Sequence, residues 1–183
     1  MEGIQVKKEK TRIIAIAAIT IDGKIARHSG EFTDWTSPED KDVLHHHLDK
    51  SDVIVVGNNT YKIAEAPLSK RNCIVFTRSV RATEQLRENL LFCNPEGVAL
   101  STILNKYRTV ALLGGRQIYT YFLERDLIDE MYLTIEPIIF GNGLDLFDQK
   151  KDVTTKFELT SYKRLNKKGS ILMHYERLTR VRI

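Results

Sequence analysis

The 183-residue chain is sparing with the residues that mark special environments: two cysteines, four prolines and one tryptophan. Cys73 and Cys93 stand far apart and match no metal-binding or redox spacing. Cys73 falls in the strand-like run "CIVFT", where a small buried thiol is the ordinary reading. Reduced thiols suit an intracellular protein, and the cytoplasm is the expected location. Long apolar runs are missing too. The stretch Ile13 to Ile19 is far shorter than the roughly 18 residues of a membrane span. The start, "MEGIQVKKEK", is charged and has no small-residue cleavage pattern, so no signal peptide is expected. No dense basic block exists either. The net charge is +4 and the pI about 9.0, with Lys and Arg spread along the chain. That argues against nucleic acid and suits an anionic small molecule. Repeats, low-complexity tracts and Pro/Gly/Ser-rich linkers are absent. The chain reads as an N-terminal extension, residues 1–11, and one domain, residues 12–183.

What is present alternates. "RIIAIAAITI" is a β-rich apolar run of the kind buried on both faces. A loop "DGKIARHSGEFTDW" follows, then a helix from Ser37 to about Lys50, and a second buried strand, "DVIVVG". "NNTYKIAEA" reads as a short helix stopped by Pro67, and "RNCIVFT" as a third strand. After a polar connection come a short strand "ENLLFC", helical spacing in "GVALSTILNKY", a strand "TVALLG" and a helix "GRQIYTYFLERD". The tail is different: "EMYLTIEPIIFG", "FELTSYKRL" and "SILMHYERL" are strands without helices between them. The last two flank a hairpin turn, "NKKG". This order predicts a single-domain α/β fold with three layers. A mixed, mostly parallel sheet lies between helices, with an antiparallel hairpin at the C-terminus.

Asp40 is the first residue that this pattern leaves unexplained. Ser37 is a good N-cap, Pro38 suits the first helical position, and "SPED" is a capping-box-like start. Asp40 near the positive end of the helix dipole is one account of it. Helix phase gives another. Asp40, Leu44 and His47 fall at i, i+4 and i+7, so the carboxylate shares an apolar stripe. A buried carboxylate is costly unless something donates to it, and a ligand with adjacent N–H groups would satisfy both oxygens. The triple His45–His47 cannot converge on one ion, because consecutive helical residues point apart. No metal site is expected.

Three further motifs follow strands. Gly57, Asn58, Asn59 and Thr60 open a helix whose free N–H groups favour an anion. Gly114 and Gly115 in "LLGGRQIY" repeat that arrangement and permit close backbone approach. Thr77, Arg78 and Ser79 form a set suited to phosphate contacts. Each alone is common in ordinary turns. All three follow strands, at the sheet edge where open α/β folds bind ligands, and a long polyanionic cofactor could span them.

The order of these motifs resembles the dihydrofolate reductase superfamily, which includes dihydrofolate reductase itself and the pyrimidine reductase of riboflavin biosynthesis. The resemblance runs from about Arg12 to about Leu178. It is carried by "IAAITIDGKIA", "WTSPEDK", "VGNNTY", "PLSKRNCIVFTRS", "LLGGRQIY" and "MYLTIEP". Trp35, Pro38 and Asp40 match the W-x-x-P-x-D pattern of dihydrofolate reductases. Pro67, Leu68 and Arg71 match their P-L-x-x-R. "DGKIA" and "EPIIFGNGLDLF" look more like the riboflavin branch. Asn58 replaces a frequent Arg, and Arg116 stands where a small residue is common.

The resemblance implies hydride transfer from NADPH to C6 of 7,8-dihydrofolate. The alternative is reduction of a ribosylamino-pyrimidine of riboflavin synthesis, or a cofactor-binding protein without turnover. Asp40 would accept two hydrogen bonds from the pterin edge, oriented by Thr134, with Trp35 closing one side. Lys41, Leu44 and Leu68 would adjoin the substrate, and Arg71 would meet the anionic tail. Ile16, Ala17, Ala18 and Ile25 would form an apolar floor under the nicotinamide, Ile16 and Ala18 reaching the substrate. Gly57, Asn58, Asn59 and Thr60 would hold the cofactor with Thr77, Arg78 and Ser79. Gly114, Gly115, Arg116, Gln117, Ile118 and Tyr119 would complete its site. The C-terminal strands could pair in a homodimer or stay in a monomer.

Overall fold

The computed structural model describes residues 10–148 and 152–178. The expected N-terminal extension therefore lies almost wholly outside the described residues. Among the described residues, eleven strands and four helices follow one another. In chain order they are β1 (Arg12–Thr20), β2 (Lys24–Ala26), α1 (Pro38–Asp49), β3 (Val53–Gly57), α2 (Asn58–Leu68) and β4 (Cys73–Phe76). Next come β5 (Thr83–Arg87), β6 (Leu90–Cys93), α3 (Leu100–Leu104), β7 (Thr109–Leu112) and α4 (Arg116–Glu124). The tail holds β8 (Glu130–Glu136), β9 (Leu144–Asp145), β10 (Phe157–Arg164) and β11 (Ile171–Arg177).

Nine strands form one sheet in the order β10-β11-β8-β1-β7-β3-β4-β6-β5. The middle is parallel: β8, β1, β7, β3, β4 and β6 run the same way. Both edges are antiparallel, β5 on β6 at one side and the β10–β11 hairpin on β8 at the other. This is the mixed three-layer fold expected from the alternation. The apolar runs are continuous because each central strand feeds two cores. Ile13, Ala15, Val53, Val55, Val110 and Leu112 face the side covered by α3 and α4. Ile14, Ile16, Ile54, Val56 and Ala111 face the side covered by α1 and α2. Cys73 and Cys93 are free, buried thiols, each pushed by burial up to about 11. No helix among the described residues is long and apolar enough to cross a membrane.

Several expected boundaries move. α2 does not stop at Pro67 but runs to Leu68, with non-helical angles at Ala64. A proline ring clashes with the carbonyl four residues back, here that of Ile63, and the break at Ala64 lets Pro67 join the last turn. Of "GVALSTILNKY", only Leu100–Leu104 is helical. "EMYLTIEPIIFG" ends as a strand at Glu136, because Pro137 has no N–H to continue the ladder. Three short strands have no counterpart in the sequence reading. β5 is polar and exposed throughout. β2 and β9 pair with each other outside the main sheet, Lys24 opposite Asp145.

Phe122 is fully buried on α4, stacked 5.8 Å from Phe76 and edge-on to Tyr121 at 5.6 Å. Phe122→Ala should lower unfolding stability by about 3–5 kcal/mol, and Phe122→Leu by clearly less. Denaturant titration of both variants measures this; equal losses would show that cavity size is not what matters there.

Candidate active site

The C-terminal ends of the parallel strands open into one cleft of about 930 Å³. Ile16, Ala17 and Ala18 of β1 form its floor with Ile25. Asp40, Lys41, Leu44 and His45 of α1 make one wall, with Leu48 behind them. Asn58, Asn59 and Thr60 begin the facing wall, which continues to Leu68 and Arg71 at the rim. Thr77 and Arg78 lie farther along, with Gly114, Gly115, Arg116, Gln117, Ile118 and Tyr119. Most residues expected at the site are thus gathered around one space. Trp35, Thr134, Gly57 and Ser79 are not on its surface.

Ser37 caps α1, its hydroxyl accepting the Asp40 N–H at 3.3 Å. The cap is therefore Ser37, and the Asp40 side chain is left to face the cleft. It is 8% exposed. Burial pushes its pKa up. The hydroxyls of Thr134 and Thr36 pull it back, the charge of Glu136 raises it further, and Lys41 lowers it. Thr134 stands behind the acid on β8, itself buried. It backs the carboxyl group rather than lining the cleft. Trp35 packs edge-on against Phe140 at 5.1 Å, and its buried Nε1 has no partner among the described residues. It lies off the surface of the cleft that it was expected to close. Arg71 pairs with Asp49 and donates to the Pro67 carbonyl at 3.2 Å, so its charge is partly engaged.

At the other end, two strand–helix joints are stitched together. The Gly57 N–H donates to the Gly114 carbonyl at 2.8 Å. Gly114 has φ +89°, and a Cβ there would lie 2.9 Å from the Tyr119 ring. Tyr119 is fixed in turn, its hydroxyl donating to the Ile16 carbonyl at 2.6 Å. Gly57 and Gly115 begin α2 and α4 without any side-chain cap. Apart from the Ile118 N–H, which donates to the Gly115 carbonyl at 2.8 Å, two sets of first-turn N–H groups are left for a ligand in the same cleft, a fit for a diphosphate-bearing cofactor. Thr77 and Ser79 bond each other at 2.9 Å, leaving exposed Arg78 between them facing the cleft. Arg116 lies 3.9 Å from Asp148.

Residues 28–33 line the cleft; they belong to the glycine-bearing loop between strand and helix that the sequence suggests as a lid. The root of that loop is held by the β2–β9 pair and by Arg27, which lies over the Phe140 ring at 4.3 Å. Glu96 and Arg125, paired at 3.1 Å, also line it, with Arg125 3.6 Å over Tyr121. Nothing in their local sequence marks them, since they meet only through the fold. The histidines diverge. His45 faces the cleft, while His47 packs 3.9 Å from Tyr132, where burial pushes its pKa down to about 4. Among the described residues no group of three or more potential metal ligands converges.

A buried carboxyl with a raised pKa favours folding in its protonated form. Its contribution is full at low pH and is lost as pH rises through the folded-state pKa. Asp40→Asn should therefore melt above the unsubstituted protein near about pH 8, and the gap should close toward about pH 4. A pH series of melting curves measures it; a gap that widens on acidification would reverse the assignment.

The dihydrofolate reductase family model matches residues 12–180. The chain is 25% identical over 176 residues to the uncharacterized protein YwjB of Bacillus subtilis, covering 91% of this chain and 98% of that one. Among solved structures, it resembles a putative riboflavin biosynthesis protein of Shewanella sp. PV-4 at 21% identity. The TM-score there is 0.69, over 92% of this chain and all of that one. It also resembles a Thermotoga maritima protein described as a diaminohydroxyphosphoribosylaminopyrimidine deaminase and 5-amino-6-(5-phosphoribosylamino)uracil reductase. There the identity is 21% and the TM-score 0.67, over 92% of this chain but 57% of the longer protein. With the family model spanning nearly every residue from β1 onward, the chain belongs to the dihydrofolate reductase family.

Proposed function

We propose that this protein is a reductase that uses NADPH to reduce a C=N bond in a substrate bearing a 2-amino-4-oxopyrimidine ring. The observation that carries this is Asp40: a buried carboxyl at the cleft wall, backed by two hydroxyls and open toward the ligand space. A ring N–H beside an exocyclic amino group presents two parallel donors, which a carboxylate accepts together. Opposite an ionised Asp40, a uracil ring, with a carbonyl where that amino group would be, would leave one oxygen facing another. The preferred substrate is accordingly a ribosylamino-diaminopyrimidinone of the riboflavin route. Likeness to riboflavin-type proteins supports the route; the Thermotoga maritima reductase is described as acting on the aminouracil, so the choice of the diaminopyrimidinone rests on Asp40 alone. Dihydrofolate is the second reading, since its pterin shows the same edge, and Arg71 at the rim suits a carboxylate tail.

The roles follow from position. NADPH, when bound, supplies the hydride, and the chain supplies orientation and field. Asp40 holds the ring edge, and Thr134 and Thr36 fix its carboxyl group. Ile16, Ala17 and Ala18 keep water from the reacting face. The open first turns of α2 and α4 take the diphosphate, and Arg78 takes a further phosphate at the far end.

The test follows reduced-nicotinamide absorbance with each substrate in turn. Turnover should be highest with the ribosylamino-diaminopyrimidinone, weaker with dihydrofolate and least with the aminouracil analogue. Asp40→Asn should cut kcat/KM by roughly 100-fold or more without weakening NADPH binding. No NADPH consumption with any of them would sink the proposal. Arg71→Ala should raise KM for dihydrofolate more than for a pterin without a tail; equal effects would remove Arg71 from the tail site.

A further inference from the structure

A second buried acid stands behind Asp40. Glu136, at the end of β8, is 5% exposed, yet it is not on the cleft surface. Its Oε1 accepts the Ser37 N–H at 2.9 Å and the Ser37 hydroxyl at 2.7 Å. Its Oε2 accepts the Ser170 hydroxyl at 2.5 Å. All three contacts donate to it, so its acceptor-only, ionised form is the one they serve. Ser37 then uses its free lone pair for the Asp40 N–H. A chain of contacts therefore runs from Ser170 through Glu136 and Ser37 to the backbone of Asp40.

The far end of the chain is anchored as well. Ser170 closes the β10–β11 turn and is fully buried. Its hydroxyl accepts from the Asn166 amide at 2.9 Å, and the same amide group reaches Glu39 on α1 at 3.1 Å. The Asn166 carbonyl oxygen accepts the N–H groups of Gly169 and Ser170. The C-terminal hairpin thus grips the first turn of the helix that presents Asp40.

From this we infer that Glu136 is the positioning residue for Asp40. It clamps the start of α1 through Ser37 and is held in place by Ser170 of the hairpin. The inference rests on Asp40 being the group that meets the substrate. Glu136 has a second effect through its charge. The groups facing Asp40 are Lys41 on its own helix, Thr36 before it, Thr134 and Glu136 from β8, and the buried Tyr119 of α4. Lys41 is the cation of that set and Glu136 the other acid. Their fields oppose each other, and Glu136 keeps the proton on Asp40 to higher pH.

The experiment uses no substrate, so its failure is distinct from failure of the proposed reaction. Aspartate carboxyl carbons are labelled with carbon-13, and the Asp40 signal is identified by its loss in Asp40→Asn. Its titration is then followed in Glu136→Gln, which keeps the volume and an acceptor for Ser37 but not the charge. The midpoint should move down by about half a pH unit or more. A purely structural role would lower the melting temperature and leave the midpoint alone; that result overturns the inference. Ser170→Ala tests the clamp independently, and decides the matter if the Gln variant does not fold. The amides of Ser37 and Asp40 should exchange hydrogen roughly five-fold faster, with β3 unchanged. Unaltered exchange there would equally overturn it.

Discussion

Strands that are buried on both faces have nowhere to put a polar side chain until they end. β1, β3 and β7 send alternate residues into two separate cores, so the middle of each strand is committed to packing. Chemistry is displaced to the loops and helix starts beyond their C-terminal ends, where one cleft collects it. Parallel strands put those ends on the same edge. The two open helix starts, the Thr77–Ser79 turn and Asp40 all follow from that one restriction.

At its acid end the cleft is built in layers. Asp40 and Thr36 face the ligand space, while the buried Thr134 and Glu136 of β8 act on the Asp40 carboxyl from off the cleft surface. β8 supplies Thr134 and Glu136 two residues apart, on one side of the strand. Helix α1 supplies Asp40 and its cap. The acid site is therefore a seam between a helix made early and a strand made late.

The architecture was legible because its signals are local: apolar runs, caps, a hairpin turn. Asp40 was legible for the opposite reason, as a charge that broke the stripe around it. The pairs that depend on two distant segments left no local trace. Glu136 reads as an ordinary polar strand end until Ser37 and Ser170 arrive beside it. Trp35 matched its motif, yet its ring is drawn to Phe140, which only the fold brings near. β2 and β9 are so short that neither has a periodicity to detect. Arg71 was legible as a cation but not as one already paired with Asp49.

The sheet order has a consequence for synthesis. β1 is the earliest strand among the described residues, yet its neighbours in the sheet are β7 and β8. Until the chain has grown past Thr109, the nine residues "RIIAIAAIT" have no ladder to join. They are apolar, β-prone and nearly uncharged, the composition that self-associates when left exposed. The central strand of the sheet is thus completed only by contacts about a hundred residues away in sequence, the kind of pairing that slows folding.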